Sequence, residues 1–303
     1  MRFSKYHGSG NDFVMVEDLE DRLSLDPSTI ASLCDRRRGV GADGLIRIVW
    51  ARDADFLMDY YNANGEVAEM CGNGIRCLAK LVYERGFTSA SELHVQTRSG
   101  PKHLVLEAAD GVVRAVTVDM GVPTLERKAI PMGGDPSGMF VGQTLEADGS
   151  VFTATAVSMG NPHCVVLLGA ETDLGALDVP RIGSIIEHLP LFPNRTNVEF
   201  VQVREDRILA RVWERGSGET MACGTGACAS LVACSLAGLT GRTADLEFPG
   251  GPLRLRWGPD DHVLMTGPAV HVFDGETTGS WVAGTGASAD AGAAAGTGAA
   301  ISS

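Results

Sequence analysis

Cys71 and Cys223 each stand immediately before a Gly-x-Gly turn, in Glu69-Met70-Cys71-Gly72-Asn73-Gly74 and Met221-Ala222-Cys223-Gly224-Thr225-Gly226. A helix-like stretch follows in both places, Ile75 to Val82 in one and Ala227 to Val232 in the other. Glycines let the backbone approach a ligand closely, and the first turn of a helix offers unpaired N–H groups at the positive end of its dipole. Such a turn is an anion trap suited to a carboxylate, and its field is expected to lower the pKa of a thiol placed there. A thiolate beside a bound carboxylate can act as a base at that acid's α-carbon. If two such turns face each other, a planar carbanion meets one sulfur on each side. One sulfur removes the proton, the other supplies one, and a stereocentre inverts in either direction. Two helix N-termini aimed at one carboxylate would stabilise the enolate-like charge, so no cofactor and no metal are required.

One Cys-Gly-x-Gly turn alone is weak evidence, because a single cysteine before a helix is more often a packed apolar residue. Here the turns recur, 152 residues apart. At an offset of 150, Gly10-Asn11 lines up with Gly160-Asn161, and each pair leads into an apolar run. Asn62 lies nine residues before Cys71, Glu214 lies nine before Cys223, and an aromatic residue precedes each (Tyr61, Trp213). Matched landmarks in order indicate an internal duplication.

The elements that must position these turns are mostly strands. Alternating or apolar runs occur at Phe13–Val16, Leu45–Val49, Val112–Val118, Cys164–Leu168 and Ile208–Trp213. Helices are expected over Pro27 to Arg36, Gly72 to about Arg85, Val179 to about His188, and Thr225 to about Ala237. The fold reading is α/β with two pseudo-symmetric lobes, each a curved, mainly antiparallel sheet around a helix that starts at a cysteine turn. The first lobe is expected over residues 1–118, with a returning strand at about 268–283, and the second over 119–267. Residues 284–303 are almost entirely Gly, Ala, Ser and Thr, the composition of a disordered tail.

With 38 acidic against 25 basic residues, the chain carries a net charge of −13, which disfavours nucleic acid or an anionic membrane as partner. No window approaches the length of a transmembrane span, and the N-terminus lacks the pattern of a signal peptide, so a cytoplasmic location is expected. The seven cysteines (34, 71, 77, 164, 223, 228, 234) are an odd count and include no Cys-x-x-Cys pair, which fits a reducing compartment and argues against zinc. Cys77, Cys164, Cys228 and Cys234 sit in apolar neighbourhoods and read as core residues.

Five blocks, His7-Gly8-Ser9-Gly10-Asn11-Asp12-Phe13-Val14, Gly39-Val40-Gly41-Ala42-Asp43-Gly44-Leu45, Glu69 to Cys77, Ser158 to Val166, and Trp213 to Cys228, together resemble the diaminopimelate epimerase family from Phe3 to about Gly275. The resemblance implies cofactor-independent interconversion of LL- and meso-2,6-diaminopimelate in lysine and peptidoglycan-precursor synthesis, and a barrel-like form for each lobe. It makes Cys71 and Cys223 the acid/base pair and gives the reacting carboxylate the backbone N–H groups around Gly72-Asn73 and Gly224-Thr225. The remaining substrate contacts fall on Asn11, Asn62, Asn161, Asn197, Glu214 and Arg215. Arg215 suits the distal carboxylate and Glu214 the distal ammonium. His163 is expected to support a cysteine or its loop, with a hydrogen-bonded structural histidine as the plain alternative. Asn64 reads as a turn residue, and Glu66 and Glu219 as exposed turn charges. One departure is Gly44, where many members carry Gln. The only partner implied is a small-molecule substrate, with a homodimer as a compatible assembly. Three other readings compete: a proline-type two-thiol racemase of the same fold, a reversible redox pair, and a cysteine hydrolase. The first needs no distal polar pocket, and the last lacks a His-Asn/Asp partner set.

Overall fold

The computed structural model describes residues 1–205 and 207–278. The segment expected as a tail, 284–303, and the last residues expected in the returning strand lie outside the described residues.

The first half contains β1 (Arg2–Gly8), β2 (Asn11–Glu17), α1 (Pro27–Cys34), β3 (Gly44–Trp50), β4 (Phe56–Asn62), α2 (Gly72–Glu84), β5 (Glu92–Thr97), β6 (Gly100–Ala109) and β7 (Val112–Asp119). The second contains β8 (Gln143–Ala147), β9 (Ser150–Ser158), β10 (Pro162–Leu167), α3 (Val179–Glu187), β11 (Asn197–Arg204), β12 (Arg207–Glu214), β13 (Gly218–Thr220), α4 (Gly224–Leu236), β14 (Thr243–Phe248), β15 (Gly251–Trp257) and β16 (Val263–Gly267). The last strand, β17 (Val270–Glu276), returns to pair antiparallel with β1.

The two halves repeat one pairing pattern. In the first, β2–β3 and β4–β5 are parallel and the other neighbours antiparallel. In the second, β10–β11 and β12–β14 are parallel and the rest antiparallel. β17 flanks β1 as β8 flanks β9. Among the described residues a single antiparallel seam, β7 with β16, joins these two sets of strands. The matching registers make Phe13 equivalent to His163, Ile46 to Glu199 and Asn62 to Glu214.

Period-2 alternation explains how each sheet is covered on both faces. On β2, Phe13 and Met15 face the core around α2, while Val14 and Val16 pack with Ile30 and Leu33 of α1. On β10, Val165 faces the α4 side, while Cys164 and Val166 pack with Val179 and Ile186 of α3. The outer helices start with an Asp cap followed by Pro: Asp26 accepts from Thr29 N–H and Asp178 from Arg181 N–H. α1 ends at Cys34, two residues before the expected Arg36, because Asp35 turns the chain by accepting the N–H groups of Arg37 and Arg38.

α2 and α4 are the central helices. Gly72 to Val82 is buried throughout, as is Gly226 to Cys234. α4 is apolar on almost all sides, which suits a fully enclosed helix, and each buried Leu or Val there contributes about 1.5–3 kcal/mol. α2 differs in enclosing two cations, Lys80, which pairs with Glu84 at 2.6 Å and Val113 O at 2.8 Å, and Arg76.

Candidate active site

Cys71 and Cys223 are the N-caps of α2 and α4, both in extended conformation (φ −137°, ψ 118° and φ −126°, ψ 118°). Neither side chain caps its helix, so the first-turn N–H groups are left to a ligand. The two helix starts meet: a Cβ on Gly72 would lie 3.6 Å from Gly224 Cα and 2.9 Å from Met265 Cε. Glycine at both positions permits this approach. Both turns open into one cavity of about 590 Å³.

One hydrogen bond ties the turns together, and a second anchors the first of them to the β1–β2 turn. Asn73 Nδ2 donates to Ala222 O and to Asn11 Oδ1, both at 3.3 Å. Asn11 Oδ1 also accepts from the Cys71 thiol at 3.4 Å. Asn11 is aimed by the β1–β2 turn, where Ser9 (φ 53°) and Gly10 (φ 80°) are left-handed and a Cβ on Gly10 would come 3.2 Å from Met221 Cβ. On the other side Thr225 Oγ1 lies 3.5 Å from Cys223 Sγ and accepts from Asn161 Nδ2 at 3.3 Å. Behind Asn161 stand His163, whose Nε2 meets Asn161 Oδ1 at 3.0 Å, and Glu199, whose Oε1 meets His163 Nδ1 at 2.7 Å.

The expected lowering of the thiol pKa at a helix start does not prevail. Burial pushes the Cys71 thiol up to about 11; the N–H dipoles of Gly74 and Asn73 and the charge of Arg76 oppose this, and Glu214 reinforces it. Burial also raises Cys223 well above its ordinary 9.0, with Glu214 and Glu199 adding to the rise and Thr225 and the Gly226 N–H opposing it. Desolvation wins because protein from both halves surrounds each sulfur and a partial charge at one helix end repays only part of the lost hydration. Glu214 itself is raised, first by burial, against hydrogen bonds from Thr220 and Cys223.

Of the residues expected to form the site, Asn11, Asn62, Cys71, Gly72, Asn73, Asn161, Glu214, Arg215, Cys223, Gly224 and Thr225 all line this cavity. Asn197 and His163 do not; they stand behind the wall. Asn197 accepts the Arg215 N–H at 2.9 Å and donates to Pro162 O at 2.8 Å, fixing the chain beside Glu214. Asn64 makes a turn with Glu66, though the left-handed residue is Gly65 (φ 84°), and Glu219 pairs with Arg211 at 2.7 Å. At Gly44 a Cβ would fall 2.5 Å from Tyr61 O and 2.7 Å from the Tyr60 ring, so Tyr60 occupies the space a longer side chain would need.

Sequence reasoning missed Ser99 and Lys102 on the cavity wall, Thr220, which donates to Glu214, and the buried groups Glu199 and Arg76. The last two carried a signal, a charge inside an apolar run (Val198-Glu199-Phe200 and Ile75-Arg76-Cys77). Ser99 and Lys102 carried none, since a β5–β6 hairpin reaches the cavity only through the curvature of the sheet. Among the described residues no group of three or more His, Cys, Asp or Glu could hold a metal ion, and no helix is long and apolar enough to cross a membrane.

Among solved structures, the hydroxyproline epimerase of Agrobacterium vitis superposes with a TM-score of 0.67 at 15% identity, over 91% of both chains. The PhzF-family phenazine biosynthesis protein of Bacillus anthracis gives a TM-score of 0.67 at 15% identity, over 92% of this chain and 99% of that one. At such identities these two share the fold alone. The diaminopimelate epimerase of Pelotomaculum thermopropionicum is 49% identical over 279 residues, 91% of this chain and 98% of its own length. That of Moorella thermoacetica is 47% identical over 281 residues, 91% and 99% of the two chains. The family model for diaminopimelate epimerase matches residues 3–126 and 155–272, which span both cysteine turns. A duplicated fold, two cysteine turns in one cavity and this degree of identity lead to one conclusion: the chain belongs to the diaminopimelate epimerase family.

Proposed function

We propose that this chain interconverts LL- and meso-2,6-diaminopimelate by moving a proton between Cys71, the substrate α-carbon and Cys223. The observation that carries the reading is the meeting of two equivalent helix starts, each N-capped by a cysteine, in one cavity. An α-carboxylate at that junction receives N–H groups from both helices, and the charge that develops as the α-proton leaves is stabilised there without reorganisation. The sulfur on one face takes the proton and the sulfur on the other returns one, so the net proton count of the pair is unchanged over a turnover.

Desolvation holds both thiols high in pKa, and a thiolate becomes accessible when the substrate ammonium enters beside it. The distal end of diaminopimelate meets Glu214, Arg215, Asn62 and Asn161 on the cavity wall. Glu214 accepts from the distal ammonium and Arg215 donates to the distal carboxylate. That polar end supports diaminopimelate over a proline-type substrate. The working units of this reading are a lobe of residues 1–118 with the strand at about 268–283, and a lobe of 119–267. Free thiols on both sides favour a reducing compartment.

The test is LL-diaminopimelate incubated with reduced protein in deuterated water, followed by proton NMR and chiral analysis. Wild type is expected to form the meso isomer with deuterium at the α-position, and Cys71→Ala and Cys223→Ala to lose at least about 10³-fold in epimerisation. Absence of both exchange and meso product from folded, reduced wild type would refute the reading.

A further inference from the structure

Arg76 is fully buried at 0% exposure, and among the described residues every hydrogen-bond partner it has is neutral. Nε donates to Pro268 O at 3.2 Å, Nη1 to Gly72 O at 3.1 Å and Met265 Sδ at 3.8 Å, and Nη2 to Ser9 Oγ at 3.2 Å. These partners belong to the link before β17, the start of α2, β16 and the β1–β2 turn. Gly8 and Gly267 leave it room: a Cβ on either would come within 3.2 Å and 3.1 Å of the guanidinium.

A buried cation without a counter-charge is costly, and the positive end of α2 beside it adds to the field instead of cancelling it. The acidic groups near enough to act on Arg76 are the thiols Cys77, foremost, Cys71 and Cys228. Of these only Cys71 lines the cavity. The other turn has the opposite surroundings. Arg76 follows Cys71 by five residues, and the residue five after Cys223 is Cys228, which carries no positive charge. Behind Cys223 stand two carboxyls, Glu214 and Glu199.

We propose that Arg76 is a positioning residue whose uncompensated charge makes Cys71 the first of the two thiols to ionise and leaves the remaining proton on Cys223. The titratable groups facing Cys71 are Arg76 and Cys77 on α2, Tyr60 on β4 and Glu214 at the end of β12, with Glu69 and Lys102 on the same cavity wall. Arg76 is the cation among them that is locked by four hydrogen bonds. This inference rests on the two-thiol reading, and its test needs no turnover, so the two can fail separately.

The test is alkylation of the reduced full chain with iodoacetamide from neutral to alkaline pH, with labelling at each cysteine followed by peptide mass spectrometry. Midpoints are compared instead of rates, because Cys71 is more exposed than Cys223. In wild type the Cys71 midpoint is expected below that of Cys223. Arg76→Met should raise the Cys71 midpoint by about one pH unit or more and leave Cys223 in place, and Arg76→Lys should restore it. A merely structural role for Arg76 would move both midpoints together or neither. A wild-type Cys223 midpoint at or below that of Cys71, or a folded Arg76→Met with Cys71 unmoved, would overturn the proposal. If Arg76→Met does not fold, Arg76→Gln, which keeps polar hydrogen bonding without the charge, is read in its place, and a Cys71 midpoint unmoved in it overturns the proposal. Correct midpoints without epimerisation would refute the reaction while leaving the order of ionisation intact.

Discussion

The two halves share strand order, pairing sense and the central helix, yet the residues behind the two sulfurs differ in kind. Behind the first turn, Phe13 and Ile46 form an apolar wall; at the same register positions the second half carries His163 and Glu199, both 0% exposed and 2.7 Å apart. Asn62 in the first half answers to Glu214 in the second, and Arg76 to Cys228. Duplication supplied two equal backbones, and side chains at equivalent positions divided the chemistry. In the proposed reaction the two ends of the substrate are constitutionally alike and only one reacts, so the unequal side chains behind the two sulfurs would have to set the roles of the two turns apart: a buried cation at the first, carboxyls and a histidine at the second.

Exchanging residues between the halves tests the comparison. Glu214→Asn, which imports the first half's choice, should have the largest effect. It removes the carboxylate charge proposed to meet the distal ammonium and shortens the side chain, and kcat/KM for LL-diaminopimelate should fall about 100-fold, near 2.7 kcal/mol. Unchanged steady-state kinetics would mean that the asymmetry at this position is unrelated to substrate.

Glu199→Ile should act mainly on stability. It leaves His163 Nδ1 buried without its partner, a loss of about 1–3 kcal/mol in denaturant unfolding. Glu199→Ile with His163→Phe imports the whole apolar pair and should be more stable than the single variant, since removing both partners of a buried pair costs less than removing one. A double variant weaker than Glu199→Ile would show that the polar pair is needed for packing.

The smallest effect is expected at the seam that only the first half closes with a late strand. Asp274 on β17 accepts from Arg85 and from Ser4 Oγ at 2.7 Å, and these bonds, Arg85 foremost, bring its pKa from 3.8 to about 2. A depressed carboxylate stabilises the fold above its unfolded pKa and loses that contribution as pH falls through its folded value. Asp274→Asn should therefore cost less than about 1 kcal/mol at neutral pH, the pair being half exposed. The gap in melting temperature from wild type should close between pH 3.8 and about 2. A gap that persists at the acid end would place the effect in the Asn side chain.

Much of this was legible without coordinates. The duplication was visible because chemistry-bearing residues and their glycines recur at nearly fixed offsets, and the helix ranges agreed within two residues because Asp-Pro caps and Cys-Gly turns are local signals. Expected strands such as Leu45–Val49 and Ile208–Trp213 lie within β3 and β12 for the same reason, since alternation is a local property. The sequence determined two equal units, the turn at the head of each central helix, and which residues could bind an amino acid.

Only the tertiary structure decided that Gly72 and Gly224 meet and that Asn197 and His163 stand behind the cavity wall. It also reversed the expected direction of the thiol pKa. A helix dipole is a property of a few consecutive residues, but the loss of water around Cys71 and Cys223 is produced by both halves at once. Burial is a sum over residues distant in the chain, and no single segment encodes it.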